Sequence, residues 1–283
     1  MIRRLQPQAV IAVMGPDVRW VGTESGYGRD TEWSTLPATA TSLSDTAESS
    51  QQEAGSGTFL PVGNMMEDDL GSRKLLADAK GVIWYPSEVD VSIRPGWYYH
   101  ASEDTLVKSP QKLIDIYYSS IGKNSLLLLN LPPDKRGLIH ENDVSSLMNM
   151  QRILRKTFEK NLIAGAGVSS GNINRLVDGR LDTYWQGSPG KNVLEISFDG
   201  DQVFDRLLLQ ENITEGQRIE QFVLECLVGD SWIPVTEGTT IGYKRILRFD
   251  PVRCSTLSVN RGMSPQISEI GFYKASGEEA MTE

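Results

Sequence analysis

Two short stretches concentrate residues able to act on a polar substrate. The first, GPDVRWVGTESG from Gly15 to Gly26, places Asp17, Arg19, Trp20 and Glu24 on what reads as the loop leaving an apolar run, Ala9–Met14. The second, RPGWYYH from Arg94 to His100, carries Trp97 and two tyrosines after another apolar segment. A carboxylate can move a proton, an arginine offers fixed donors to hydroxyl oxygens, and an indole offers a stacking face. Loops at the carboxyl ends of parallel strands are where α/β folds keep such groups. The pattern points to a polar substrate that also needs a stacking surface.

Those loops need elements to hold them. Ala9–Met14 reads as a buried parallel strand, and Gly81–Ile93 contains a second. Asp68–Lys80 is helix-compatible. Ser109-Pro110 supplies an N-cap and a first-turn proline for a helix lined by Leu113, Ile114, Tyr117 and Ile121 and stopped by Gly122. Ser125–Leu131 (SLLLLNL) reads as a strand buried on both faces. A last helix, capped by Asn142 and running to about Lys160, sets Val144, Leu147, Met148, Leu154 and Phe158 on one side. Residues 1–160 thus read as a parallel α/β unit with only three strands. Thr35–Gly57, rich in Ser, Thr, Ala and Glu, cannot bury enough apolar area to offset its ordering entropy and is expected to be a mobile insertion. From Asn161 short alternating segments take over (VLEISF, DRLLLQE, QFVLECLVG, RILRFD, STLSV, ISEIGFYK), separated by glycines and polar turns. They predict an antiparallel β-sandwich over 161–276, with 277–283 as a disordered tail.

Bulk properties narrow the partners. In 283 residues the net charge is −9 and no basic cluster is present, which argues against nucleic acid. No run approaches a membrane span, and MIRRLQPQAVIAV has no signal-peptide pattern. Two histidines far apart, His100 and His140, make a histidine-rich zinc site a poor fit. His100 reads as a structural hydrogen-bonder and His140 as a surface residue. Cys226 and Cys254 both lie in strand-like segments, either paired across the sandwich or as two buried thiols.

GPDVRWVGTESG, then WYPSEVDVSIRPGWYYH, then NLPPDKRGLIHENDV resemble, in that order, the retaining α-L-fucosidases of glycoside hydrolase family 29. The likeness is greatest to the branch preferring α-1,3/1,4-linked fucose. LVDGRLDTYW, LLLQENITEGQRIEQF, EGTTIGYKRILRF and SEIGFYK resemble a discoidin-like (galactose-binding-like) sandwich that often follows that barrel. The resemblance implies the C-terminal part of a (β/α)₈ barrel followed by a discoidin-like domain, and a fucosylated oligosaccharide or glycoconjugate as substrate. It implies Glu24 as general acid/base, with Arg19, Trp20 and Trp97 contacting the sugar. Retaining hydrolysis uses two carboxylates about 5–5.5 Å apart, and the acid must stay protonated near neutrality. The family's nucleophile is an aspartate in a W-x-D-G-like strand end, a motif absent before Glu24. The resemblance therefore implies a chain lacking the N-terminal half of the barrel and inactive alone. The competing reading is a non-catalytic carbohydrate-binding fragment. No cofactor is implied for catalysis. In the sandwich, Asp178, Thr183 and Glu269, with Asp182 nearby, match a structural calcium loop; Trp185 and Trp232 are stacking candidates, with Trp185 more simply read as core. Family habit implies a periplasmic or secreted home.

Overall fold

A computed structural model describes residues 1–12, 17–38, 69–79, 81–187, 192–260 and 265–280. After a one-turn helix, α1 (Ile2–Leu5), the first strand is β1 (Arg19–Trp20). Next come β2 (Thr35–Ala38), α2 (Arg73–Ala77), β3 (Gly81–Trp84) and β4 (Ser87–Ser92). Then follow α3 (Pro110–Ser120), β5 (Leu126–Asn130) and α4 (Glu141–Thr157). Strands β1, β4 and β5 form a parallel sheet in that order, while β2 and β3 pair separately as an antiparallel ladder.

The parallel strands are not all where apolar runs suggested. Residues 9–12 carry no strand, and 13–16 lie outside the described residues. The strand feeding the Glu24 loop is instead the polar Arg19–Trp20, because its edge bonds to β4: Arg19 N donates to Pro86 O and Val21 N to Glu88 O. Gly81–Ile93 divides into β3 and β4, which belong to different sheets. Of the expected insertion, Thr35–Ala38 is strand β2, and 39–57 lie outside the described residues. Among the described residues of the Asp68–Lys80 window, 69–79, the helix covers Arg73–Ala77.

Side chains alternate across this sheet. Val91, Ile93, Leu127, Leu129 and Leu131 pack with Leu113 and Ile116 of α3. Trp20, Asp90, Ser92 and Asn130 share the opposite face, joined by Trp20 Nε1–Asp90 Oδ1 (2.8 Å) and Asn130 Nδ2–Ser92 Oγ (3.1 Å) hydrogen bonds. Leu126 and Leu128 are 47% and 50% exposed, so β5 is covered by helices on one face only, not on both. Helix α3 begins as read, with Ser109 Oγ accepting from Lys112 N. Helix α4 is capped two residues earlier than expected, by His140, whose Nδ1 accepts from Asn142 N. His140 is therefore a half-buried cap rather than a plain surface residue. The inward face of α4 includes Asp143, Ser146, Ile153 and Thr157, whereas Val144 and Met148 are exposed. The buried Arg94 accounts for the rotation, because its Nε donates to Asp143 Oδ2 at 2.9 Å.

The second half is antiparallel. Strands β6 (Gly167–Val168), β7 (Trp185–Gln186), β8 (Val193–Glu211) and β9 (Phe222–Val228) precede β10 (Ser231–Gly238), β11 (Arg245–Asn260) and β12 (Gln266–Tyr273). The order is β10-β9-β11-β8-β12-β7, with β6 also on β8. VLEISF and DRLLLQE are one strand, β8, and RILRFD and STLSV are one strand, β11. Register shifts at Arg248/Val252 and Cys254/Thr256 let the long pair bend. The core of this half gathers Leu194, Ile196, Phe204, Leu207, Leu224, Leu257, Ile270 and Phe272. Cys226 and Cys254 form a disulfide with Cα atoms 6.1 Å apart. The expected tail is ordered at its start. Residues Gly277–Ala280 form a helical turn, α5, whose buried Glu279 accepts from Tyr118 Oη (2.7 Å), Arg206 Nη2 (2.9 Å) and Thr157 Oγ1. Residues 281–283 lie outside the described residues.

Candidate active site

Glu24 and Trp97, 73 residues apart in sequence, meet: Trp97 Nε1 donates to Glu24 Oε2 at 2.9 Å. Each sits on the loop leaving the carboxyl end of a parallel strand, β1 for Glu24 and β4 for Trp97. Both are exposed, Trp97 at 38%. The arrangement gives a solvent-facing carboxylate oriented by an indole N–H, with an aromatic face beside it.

Two frameworks hold these loops. Beneath Trp97, Arg94 is fully buried and donates to Asp143 Oδ2, Asp104 Oδ1 and His100 O. Asn130 Nδ2 donates to Trp97 O at 2.9 Å, tying the loop to β5. The Glu24 loop turns at Gly22 and Gly26, both at positive φ. Ser119 Oγ donates to Gly26 O, and Gly28 N to Ser119 O. Arg29 Nη2 donates to Val21 O, and Arg29 and Arg19 both pair with the buried Glu32.

That last network corrects the expectation for Arg19. Its side chain is 0% exposed on the face of β1 opposite Trp20, and it donates to Glu32, Trp33 O and Tyr85 O. Burial lowers its pKa, with the Glu32 charge opposing. Enclosed by these partners, Arg19 braces the base of the loop in this structure and presents no open face to solvent. Trp20 lies on the open face, half-buried, with its N–H committed to Asp90. Tyr98 is 80% exposed, whereas Tyr99 packs under Arg94 and bonds Asp104. Asp134 organises its own turn: Arg136, together with the backbone N–H groups of Arg136 and Leu138, holds its carboxyl down at about 2. Sequence reasoning missed Arg29, Glu32 and Asp90. Their polarity suited a solvated loop or edge, and nothing in their spacing marked them as buried partners.

In the antiparallel domain Thr183 Oγ1 donates to the Asp178 carboxylate, and Gly179 N to Glu269 Oε2. Burial raises the Glu269 pKa, opposed by that N–H. Asp182 is turned away into a pair with Arg180. Among the described residues no three His, Cys, Asp or Glu side chains are grouped to hold a metal. The oxygen-only donors of Asp178, Thr183 and Glu269 nonetheless suit a hard cation completed by backbone carbonyls or water. Trp185 is core, 5% exposed, with its N–H on Ser170, while Trp232 is 36% exposed on β10.

Fold and site define an α/β unit presenting a carboxylate and an indole at the carboxyl ends of parallel strands, backed by an antiparallel domain. The alpha-L-fucosidase family model matches residues 15–159. Alpha-L-fucosidase 1 of Arabidopsis thaliana is 38% identical over 304 residues, covering 100% of this chain and 55% of its own length. A relative from Oryza sativa subsp. japonica is 34% identical, covering 98% of this chain and 52% of its own length. A Bacteroides ovatus structure assigned as an alpha-L-fucosidase superposes with a TM-score of 0.77 at 42% identity, over 97% of this chain and 44% of that one. A Ruminococcus gnavus GH29 fucosidase in complex with fucose gives 0.74 at 28% identity, over 93% and 52%. The chain belongs to the alpha-L-fucosidase family of glycoside hydrolases. It spans about half the length of the curated relatives it matches.

Proposed function

We propose that this chain carries the acid/base half of a retaining α-L-fucosidase site acting on terminal α-1,3/1,4-linked fucose of glycans. The Glu24–Trp97 contact at two parallel-strand ends carries the reading, within a chain of this family. Glu24 protonates the departing glycosidic oxygen and then deprotonates the attacking water. Trp97 orients that carboxylate and offers its ring to the apolar face and methyl of a deoxysugar. The three parallel strands are read as the end of a (β/α)₈ barrel and the antiparallel domain as discoidin-like. The attacking carboxylate comes from strands preceding β1, so the chain alone is inactive. The Asp178–Thr183–Glu269 loop is read as a structural calcium site. Calcium should then raise the melting temperature, and Asp178→Ala should abolish the rise. The disulfide supports a secreted or periplasmic setting, since such bonds persist in oxidising compartments.

The test uses two proteins: this chain alone, and a chimera that adds the preceding strands of the Bacteroides ovatus relative. Only the chimera should hydrolyse an aryl α-L-fucoside. In it, Glu24→Gln should lower turnover roughly 10²–10⁴-fold for a poor leaving group. The loss should be much smaller for an activated aryl fucoside, and azide should rescue the variant. Equal losses on both substrates remove Glu24 from the acid/base role. Robust turnover by the chain alone, blocked by a fucose-like iminosugar, overturns the half-site reading.

A further inference from the structure

The loop bearing Glu24 is anchored from the antiparallel domain, by contacts spanning 183 to 215 residues of sequence. Thr240, 0% exposed, accepts the Glu32 N–H on its hydroxyl at 3.0 Å. Gln217, 2% exposed, donates to Glu32 O at 3.0 Å and accepts from Ser34 N at 2.9 Å. Thr239 Oγ1 and Arg245 Nη1 donate to Asp30 O, at 2.9 and 2.8 Å, and Thr31 Oγ1 bonds Thr239 Oγ1 at 3.0 Å. The backbone from Asp30 to Ser34 is thus fixed by side chains of the second domain. From there Glu32 grips Arg29, and Arg29 grips Val21 O at the other end of the loop. The fit is close. Gly242 approaches Asn124 so nearly that a Cβ there would lie 2.3 Å from Asn124 Nδ2. Asn124 Nδ2 itself donates to Glu32 O.

We propose that Gln217, Thr239, Thr240 and Arg245 are positioning residues for Glu24, making the antiparallel domain a working part of the acid/base loop and not an appended module. The relay runs from Thr240 to Glu32, to Arg29, to the carbonyl of Val21, and so to the segment 22–29. The proposal rests on the reading of Glu24 as acid/base only for its catalytic consequence; the mechanical coupling stands apart from it.

Hydrogen exchange on the 283-residue chain tests the coupling. Thr240→Val keeps shape but strands the Glu32 N–H, so peptides covering 21–34 should exchange roughly five- to a hundredfold faster. Peptides from α3 and β8 should keep their rates. Thr240→Ser should restore slow exchange. Thr239→Val, which loses only partly exposed bonds, replaces Thr240→Val if that variant does not melt cooperatively. Unchanged exchange at 21–34, or equal acceleration everywhere, overturns the proposal. In the chimera, Thr240→Val should lower kcat for a poor leaving group with KM little changed, and Thr240→Ser should recover it. If exchange quickens but Glu24→Gln shows no leaving-group dependence, the coupling holds and the acid/base reading fails.

Discussion

Trp97 offers two separable things, an N–H and a ring, and single substitutions can tell them apart. Trp97→Phe keeps an aromatic face but leaves Glu24 Oε2 without its donor. In the strand-complemented chimera it should lower kcat about tenfold for a poor leaving group. Trp97→Ala should in addition raise KM. Glu211 poses a different residue-scale problem. It is 1% exposed and accepts from Arg218 N, Ile219 N and Gly242 N, yet burial pushes its carboxyl up to about 7. A raised carboxyl pKa means the folded chain holds a proton that the unfolded chain releases between about 4.5 and 7. This contribution to stability is full below the unfolded pKa and is lost as pH rises through about 7, by roughly 3 kcal/mol. Urea midpoints measured from pH 4.5 to 8 should show that fall, and Glu211→Gln should flatten it. Glu24 and Trp97 were legible because ordered motifs surround them; Glu211 was not, because no local pattern separates a buried strand-end glutamate from a solvated one.

Among elements, β9 and β11 are joined covalently by Cys226–Cys254, 28 residues apart. Closing a loop of that length stabilises by about 3–4 kcal/mol in the chain-entropy account. Cys226→Ala/Cys254→Ala should lower the thermal midpoint of the antiparallel domain accordingly, with no change in 21–34 exchange. Helices were readable where chemistry marks their ends, as Ser109-Pro110 marks α3. Strands were less so. DGD looks like a turn, yet Gly200 at φ +84 bends β8 without ending it. Conversely SEVDVS, a strand with charges at Glu88 and Asp90, carries the center of the parallel sheet. Its neighbours on both sides, not its composition, make it so.

At the scale of the whole molecule, β1 and β5 bound a three-stranded parallel sheet, and Leu126 and Leu128 stand exposed on its open face. Parallel sheets are stable when both faces are covered, and free edges recruit other chains. The isolated chain should therefore self-associate in sedimentation velocity, and Leu126→Lys/Leu128→Lys should shift it toward monomer. A mutant that sediments like the parent chain overturns this account. The sequence by itself determined the two halves, a parallel α/β unit then an antiparallel domain, because hydrophobic period and caps are local properties. It also nominated Glu24 and Trp97, each separately, through flanking motifs; that the two side chains meet is a tertiary result. Only the tertiary structure decided that Arg19 is enclosed with Glu32, that His140 caps α4, that the cysteines are joined, and that Glu279 docks the chain end. Each depends on a partner distant in sequence. A buried polar side chain is defined by the group that satisfies it, and that group is brought near only by folding.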